Sequence, residues 1–183
     1  MRRAKKLRAR PLVAGLALAT GVALAAGRLG MKRRGGERRS RMTETNKAIS
    51  RRVIEEIFNE GKLEIAEELI APDFIGYDPA LPEPMRGPDG VKQQAAGYRA
   101  AFSDMRLTIE DDIAEGDKVV IRWTARGTHD GELFGIQPTG KEATVTGVTI
   151  DRIIDGRLVE TWNNWDTLGL LQQLGAVPAL AEA

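Results

Sequence analysis

The chain contains no cysteine and a single histidine. The first absence removes disulfides, thiol nucleophiles and thiolate zinc sites. The second rules out a multi-histidine metal site within one chain, so no metal is expected. No G-x-S-x-G elbow is present, and any Ser-His-Asp apparatus would have to use His129. No period of repetition is visible, which sets solenoids aside. Aromatic residues make up only 5% of the chain. Trp162 and Trp165, with Asp166 beside them, therefore stand out as the stretch to watch.

What is present is divided unevenly by charge. Residues 1–41 hold 13 Lys or Arg against one Glu, so a chain of net charge +1 carries a body of about −11 from residue 42 onward. An acidic body argues against nucleic-acid binding, because phosphate contacts need clustered Lys and Arg. Residues 1–10 are basic, Pro11 to Gly27 is uncharged, and Arg28 to Arg41 is basic again. This leader (residues 1–41) fits a secretory signal or weak membrane anchor, an Arg-rich organelle-type leader, or an extension upstream of a start at Met42. Membrane association is expected only through residues 11–27. The location follows: cytoplasmic for a start at Met42, otherwise membrane-anchored or exported.

The body, residues 42–183, reads as one domain with enough apolar content for a core. Ile49, Val53 and Ile57 recur every four residues and predict an amphipathic helix over 43–59, stopped by Gly61. Leu63, Ala66, Leu69 and Ile70 predict a short second helix ending before Pro72. Asp73 to Asp78 is extended and leads into a loop too rich in proline for regular structure, a rim over a cavity. Val91, Ala95, Tyr98 and Phe102 mark one face of a third helix. After Ser103 the period changes to two, with a strand pair around Glu115-Gly116-Asp117 and a final hairpin at Asp155-Gly156, a pair suited to a type I′ turn. Asp111-Asp112 reads as solvated, and Arg122 and Arg126 as solvated or at a subunit interface. The order predicts an α+β fold, a curved antiparallel sheet wrapped around N-terminal helices on one face.

Strand alternation places Glu160, Trp162, Asn164 and Asp166 on one side, with Thr161, Asn163 and Trp165 on the other. With Trp162 turned toward a cavity, Asp166 and the Asn164 amide follow it. A carboxyl in a half-apolar pocket has its neutral form favoured, the condition for moving protons near neutral pH. Asp166 is thus a candidate acid/base, the other reading being a cap on the helix that starts near Thr167. His129 shares odd parity with Trp123 and is a second catalytic candidate, or else a hydrogen-bonded structural histidine. Trp162, Asn164, Trp123, Tyr77, Tyr98 and Phe102 are the expected substrate contacts, with Tyr77, Tyr98 and Asn164 as possible donors.

The string GTHDGELFGIQPTGK (Gly127 to Lys141), followed by IDGRLVETWNNWD and GLLQQLG, resembles the SnoaL-like polyketide cyclases and their ester cyclase relatives. These have the cone-shaped, nuclear transport factor 2-like fold. The resemblance covers roughly residues 43–176. It implies a cofactor-free enzyme closing a ring by intramolecular aldol chemistry on a small apolar carbonyl compound, and a homodimer. It also implies an aspartate acid/base near the end of the last strand, which Asp166 matches, while Thr161 stands where many relatives have histidine. Two alternatives remain at this level: a non-catalytic module holding an apolar ligand, and an isomerase or epoxide hydrolase on the same fold.

Overall fold

The structure, a computed structural model, describes residues 19–178, with side chains from residue 36. The chain falls into two units divided between Arg38 and Arg39. In the first, the described residues are helical from Ala19. No helix among the described residues is long and apolar enough to cross a membrane. The apolar run expected as a signal or anchor lies partly outside the described residues.

In the second unit the helix predicted over 43–59 is found with the expected end. It is the continuation of α1 (Ala19–Arg52) and a π-helical stretch, Val53–Asn59. Its buried residues Ile49, Val53, Ile54 and Ile57 are the periodic apolar positions of the sequence. Gly61 follows at φ +71°, a conformation glycine adopts without a Cβ penalty. Arg99 donates from Nη1 to the carbonyls of Phe58 and Asn59 (3.0 and 2.7 Å), satisfying oxygens the helix end leaves open. Asn59 pairs with the backbone of Leu107 in both directions (2.9 and 2.7 Å) and so ties this end to the sheet.

A 3₁₀ turn (Leu63–Ile65) and α2 (Ala66–Leu69) form the second helical piece. It stops one residue earlier than predicted, because β1 (Ile70–Tyr77) already begins at Ile70. Pro72 is accommodated inside that strand, in the stretch between Ile70 and Ile75 where the register against β6 shifts. A proline removes no ladder bond where none is made. The proline-rich loop also contains a two-residue strand, β2 (Met85–Arg86), paired with Gly76 and Ile75. The expectation of no regular structure there is corrected to that extent. Met85 and Arg86 keep their N–H groups between Pro84 and Pro88.

Helix α3 (Gly87–Ala101) precedes β3 (Arg106–Glu115), β4 (Lys118–Thr128), β5 (Glu142–Ile154), β6 (Arg157–Trp165) and α4 (Thr167–Leu174). The sheet order is β2-β1-β6-β5-β4-β3. All neighbours are antiparallel except β1 and β6. The hairpin between β5 and β6 turns with Asp155 and Gly156 both at positive φ, as the Asp-Gly pair predicts. The curved sheet is unclosed and packs the helices on one face, the α+β architecture expected. Along β4 the inner residues Val119, Ile121 and Trp123 are buried with Ile54, Ile57, Val91 and Ala95 in one core cluster.

Asp112 departs from its solvated assignment. Its side chain is largely buried between Lys47 (3.2 Å) and Arg51 (2.6 Å), joining the first helix to β3. Burial pushes its pKa up, but bonding to Arg51 and Lys47 outweighs that and holds the carboxyl below its ordinary value.

Candidate functional site

Within the second unit, the helices and the inner sheet face enclose a cavity of about 140 Å³. The π-helical stretch contributes Val53, Ile54 and Phe58 to its wall, α3 contributes Gln94 and Tyr98, and β4 contributes Trp123. The strands β5 and β6 supply a polar strip of Thr149, Asp151, Thr161 and Asn163, continued by Trp165. Their pairing explains the strip. Asp151 lies opposite Thr161, Thr149 opposite Asn163 and Gly147 opposite Trp165. Residues directly opposite in a ladder share a face.

That register corrects the face assignment made from the sequence. Thr161, Asn163 and Trp165 line the cavity, and Trp162 and Asn164 lie on the outer face. Trp162 is 38% exposed and stacks on Tyr77, 41% exposed, with ring centroids 6.2 Å apart. Alternation states which residues share a side. It does not state which side is inward, and an outward aromatic pair across β1 and β6 defeats the assumption that the larger residue marks the core. Trp162, Asn164 and Tyr77 are therefore withdrawn as substrate contacts. Trp123, Tyr98 and Phe102 do line the cavity.

Asp166 is exposed, outside the cavity lining, at the N-cap of α4. Its Oδ1 accepts from the Gly169 N–H at 2.8 Å, the capping geometry named as its other reading. His129 is fully buried and also outside the cavity lining. Its Nδ1 accepts from the Thr139 N–H (3.3 Å) and lies 3.1 Å from the Thr139 hydroxyl, while its ring packs on Phe102. Its backbone bonds Lys141 and Gly140 as well, so it closes the loop between β4 and β5.

Two carboxyls that sequence reasoning passed over organise the site. Asp151 is buried in the cavity wall and accepts a hydrogen bond from the Thr161 hydroxyl. Burial raises its pKa; Thr161 and the nearby Ser50 hydroxyl act the other way without cancelling the rise. The Ser50 hydroxyl faces it without reaching hydrogen-bond geometry and has no other partner among the described residues. A signal for Asp151 existed. It is the one acidic side chain on the odd-numbered face of β5 that also carries Ala143 and Val145.

Asp78 is also buried, just beyond the end of β1. Its carboxylate accepts four N–H groups: Gln94 Nε2 (2.8 Å), Asn163 Nδ2 (2.9 Å), Trp165 Nε1 (3.1 Å) and the Ala80 backbone (2.9 Å). Such saturation leaves the buried carboxyl with its acceptor sites satisfied. From Asn163 the chain runs on, its Oδ1 accepting from the Thr149 hydroxyl (3.0 Å), which accepts from Trp123 Nε1 (2.9 Å). No sequence signal marks Asp78, because three of its four donors come from α3 and β6, far from it in the chain.

The Tyr98 ring is held edge-on to Trp165 and Phe134 (centroids 6.3 and 6.5 Å). Its hydroxyl is buried with no partner among the described residues. Burial, and then the charge of Asp78, raise its pKa, so the phenol stays protonated. An apolar chamber with one buried, pKa-raised carboxyl at one end and an unpaired phenol in its wall can move a proton on a carbonyl compound shielded from water.

The family profile described as SnoaL-like polyketide cyclase matches residues 48–174. The nogalonic acid methyl ester cyclase of Streptomyces nogalater is 33% identical over 121 residues, covering 64% of this chain and 89% of that protein. The aklanonic acid methyl ester cyclase AcmA of Streptomyces galilaeus is 29% identical over 136 residues, covering 73% and 92%. Among solved structures, IdmH of Streptomyces antibioticus is similar at 36% identity and a TM-score of 0.61, with 71% of this chain and 98% of that one covered.

Proposed function

The chain belongs to the SnoaL-like polyketide cyclase family, and from that premise we propose that it closes a ring on a polyketide-type carbonyl compound held in the cavity, with Asp151 as the general acid/base. The observation that carries this reading is a buried carboxyl with a raised pKa in the wall of a largely apolar cavity. In its ionised form Asp151 takes the proton from a carbon next to a carbonyl. The enolate carbon attacks a second carbonyl of the same molecule, forming the C–C bond as the C=O π bond opens. Asp151 then returns its proton to the new alkoxide, so one carboxyl balances the reaction with no cofactor. Thr161 donates its hydroxyl to it, and the Ser50 hydroxyl, unpartnered among the described residues, lies nearby.

The relatives' names supply test compounds, aklanonic and nogalonic acid methyl esters. Wild-type turnover of either should fall by roughly 10²–10⁴-fold in Asp151→Asn, the usual worth of a positioned acid/base. Unchanged turnover in that variant would remove Asp151 from the mechanism.

A further inference from the structure

The mechanism above uses the Asp151 end of the cavity and leaves Tyr98 unexplained. Polar groups buried in folded proteins are almost always bonded, and an unpaired one is costly to keep. The Tyr98 hydroxyl is buried without a partner, although a carboxylate whose charge it feels is close by. Asp78 already accepts four N–H groups. Ring rotation is limited by the edge-on packing of Trp165 and Phe134. What remains is a protonated donor in the cavity wall, with the neighbouring carboxylate already taken.

The register separates the row against which Tyr98 packs from the reacting end. Tyr98 packs on Trp165, which pairs with Gly147, and Asp151 pairs with Thr161. These two rows are four residues apart, about 13 Å along the strand. The negative charge of Asp78 is unfavourable to an oxyanion at Tyr98 and leaves a neutral acceptor as the fitting partner.

We infer that Tyr98 is a specificity-determining residue that donates a hydrogen bond to a neutral, non-reacting carbonyl oxygen of the substrate, at the end of the cavity away from Asp151. The ligand class is an apolar compound with an oxygen acceptor remote from the site of ring closure. That this carbonyl does not react rests on the assignment of Asp151 as acid/base; the donor role of Tyr98 does not.

The test reads binding rather than turnover, so it can fail independently of the cyclase reading. The full chain is dialysed to equilibrium against 9-fluorenone and against fluorene, which has the same ring skeleton without the carbonyl. Wild type should bind fluorenone roughly three- to tenfold tighter, the worth of one net hydrogen bond. In Tyr98→Phe the two should bind alike, with fluorene affinity unchanged and Tm not lowered, since the lost hydroxyl has no partner to abandon. Asp151→Asn should keep the preference. A preference retained in Tyr98→Phe, a preference lost in Asp151→Asn alone, or no preference in wild type would each overturn the inference.

Discussion

Asp151 and Asp166 are both carboxyls near the last hairpin, yet their surroundings give them different tasks. Asp151 is buried and its pKa is raised. A carboxyl whose folded pKa lies above its unfolded value of about 3.9 binds more protons folded than unfolded, so its contribution to stability is complete below that value. It is lost as pH rises toward the folded pKa. The variant Asp151→Asn carries no charge at any pH, so its Tm relative to wild type should climb through that window and be most favourable at neutral pH. Over the same range wild-type kcat should rise with pH as the base ionises, through an apparent pKa above the ordinary carboxylate range. Asp166, by contrast, is exposed and bonded to the Gly169 N–H. Replacing it with alanine should cost about 1 kcal/mol in thermal unfolding, the usual worth of a cap, with turnover retained. A collapse of turnover with Tm unchanged would return the acid/base role to Asp166.

At the scale of the element, β5 is the strand on which the site depends. It pairs with β4 and β6 and presents Thr149 and Asp151 to the cavity. Gly147, in the same inner row, leaves space for the Trp123 ring. A Cβ there would lie 2.3 Å from Trp123 Cζ2, well inside contact distance. Trp123 in turn holds the Thr149 hydroxyl and so the orientation of Asn163. Gly147→Ala should therefore destabilise the fold by roughly 1–3 kcal/mol through overpacking, lowering Tm. Trp123 fluorescence should shift as the ring is displaced. An unaltered Tm and emission would show that the ring moves aside freely and that the strip does not depend on it.

At the scale of the whole molecule, the core among the described residues is drawn from beyond the basic leader. Among residues with described burial, Gly36 to Met42 are exposed and the first buried side chain is Asn46. Asn46 donates to the Gly116 carbonyl at 3.1 Å, and from there the helix is integrated with the sheet. We propose that residues 1–41 add nothing to the stability of the body. A chain beginning at Met42 should match the full chain in Tm and in cooperativity of unfolding. A loss of several degrees would place part of the core upstream.

Local sequence was enough for the elements and their order apart from the short β2, because the signals that specify them are short-range. The four-residue apolar spacing of Ile49, Val53 and Ile57, the period-two run through Val119, Ile121 and Trp123, and the Asp155-Gly156 turn each act within a few residues. The family motif carried the fold with them. The site was legible only in part. Tyr98, Phe102 and Trp123 could be named because they lie on apolar faces that also form the core. The inward face of β6 could not be decided from β6 alone. Both faces carry large side chains, and only pairing with β5 and β1 sets Thr161, Asn163 and Trp165 inward. Asp78 and Asp151 gain their character from donors and burial supplied by residues distant in the chain. Desolvation and hydrogen bonding of a carboxyl are sums over three-dimensional neighbours, so tertiary structure decides among the candidates which aspartate faces the cavity and which caps a helix.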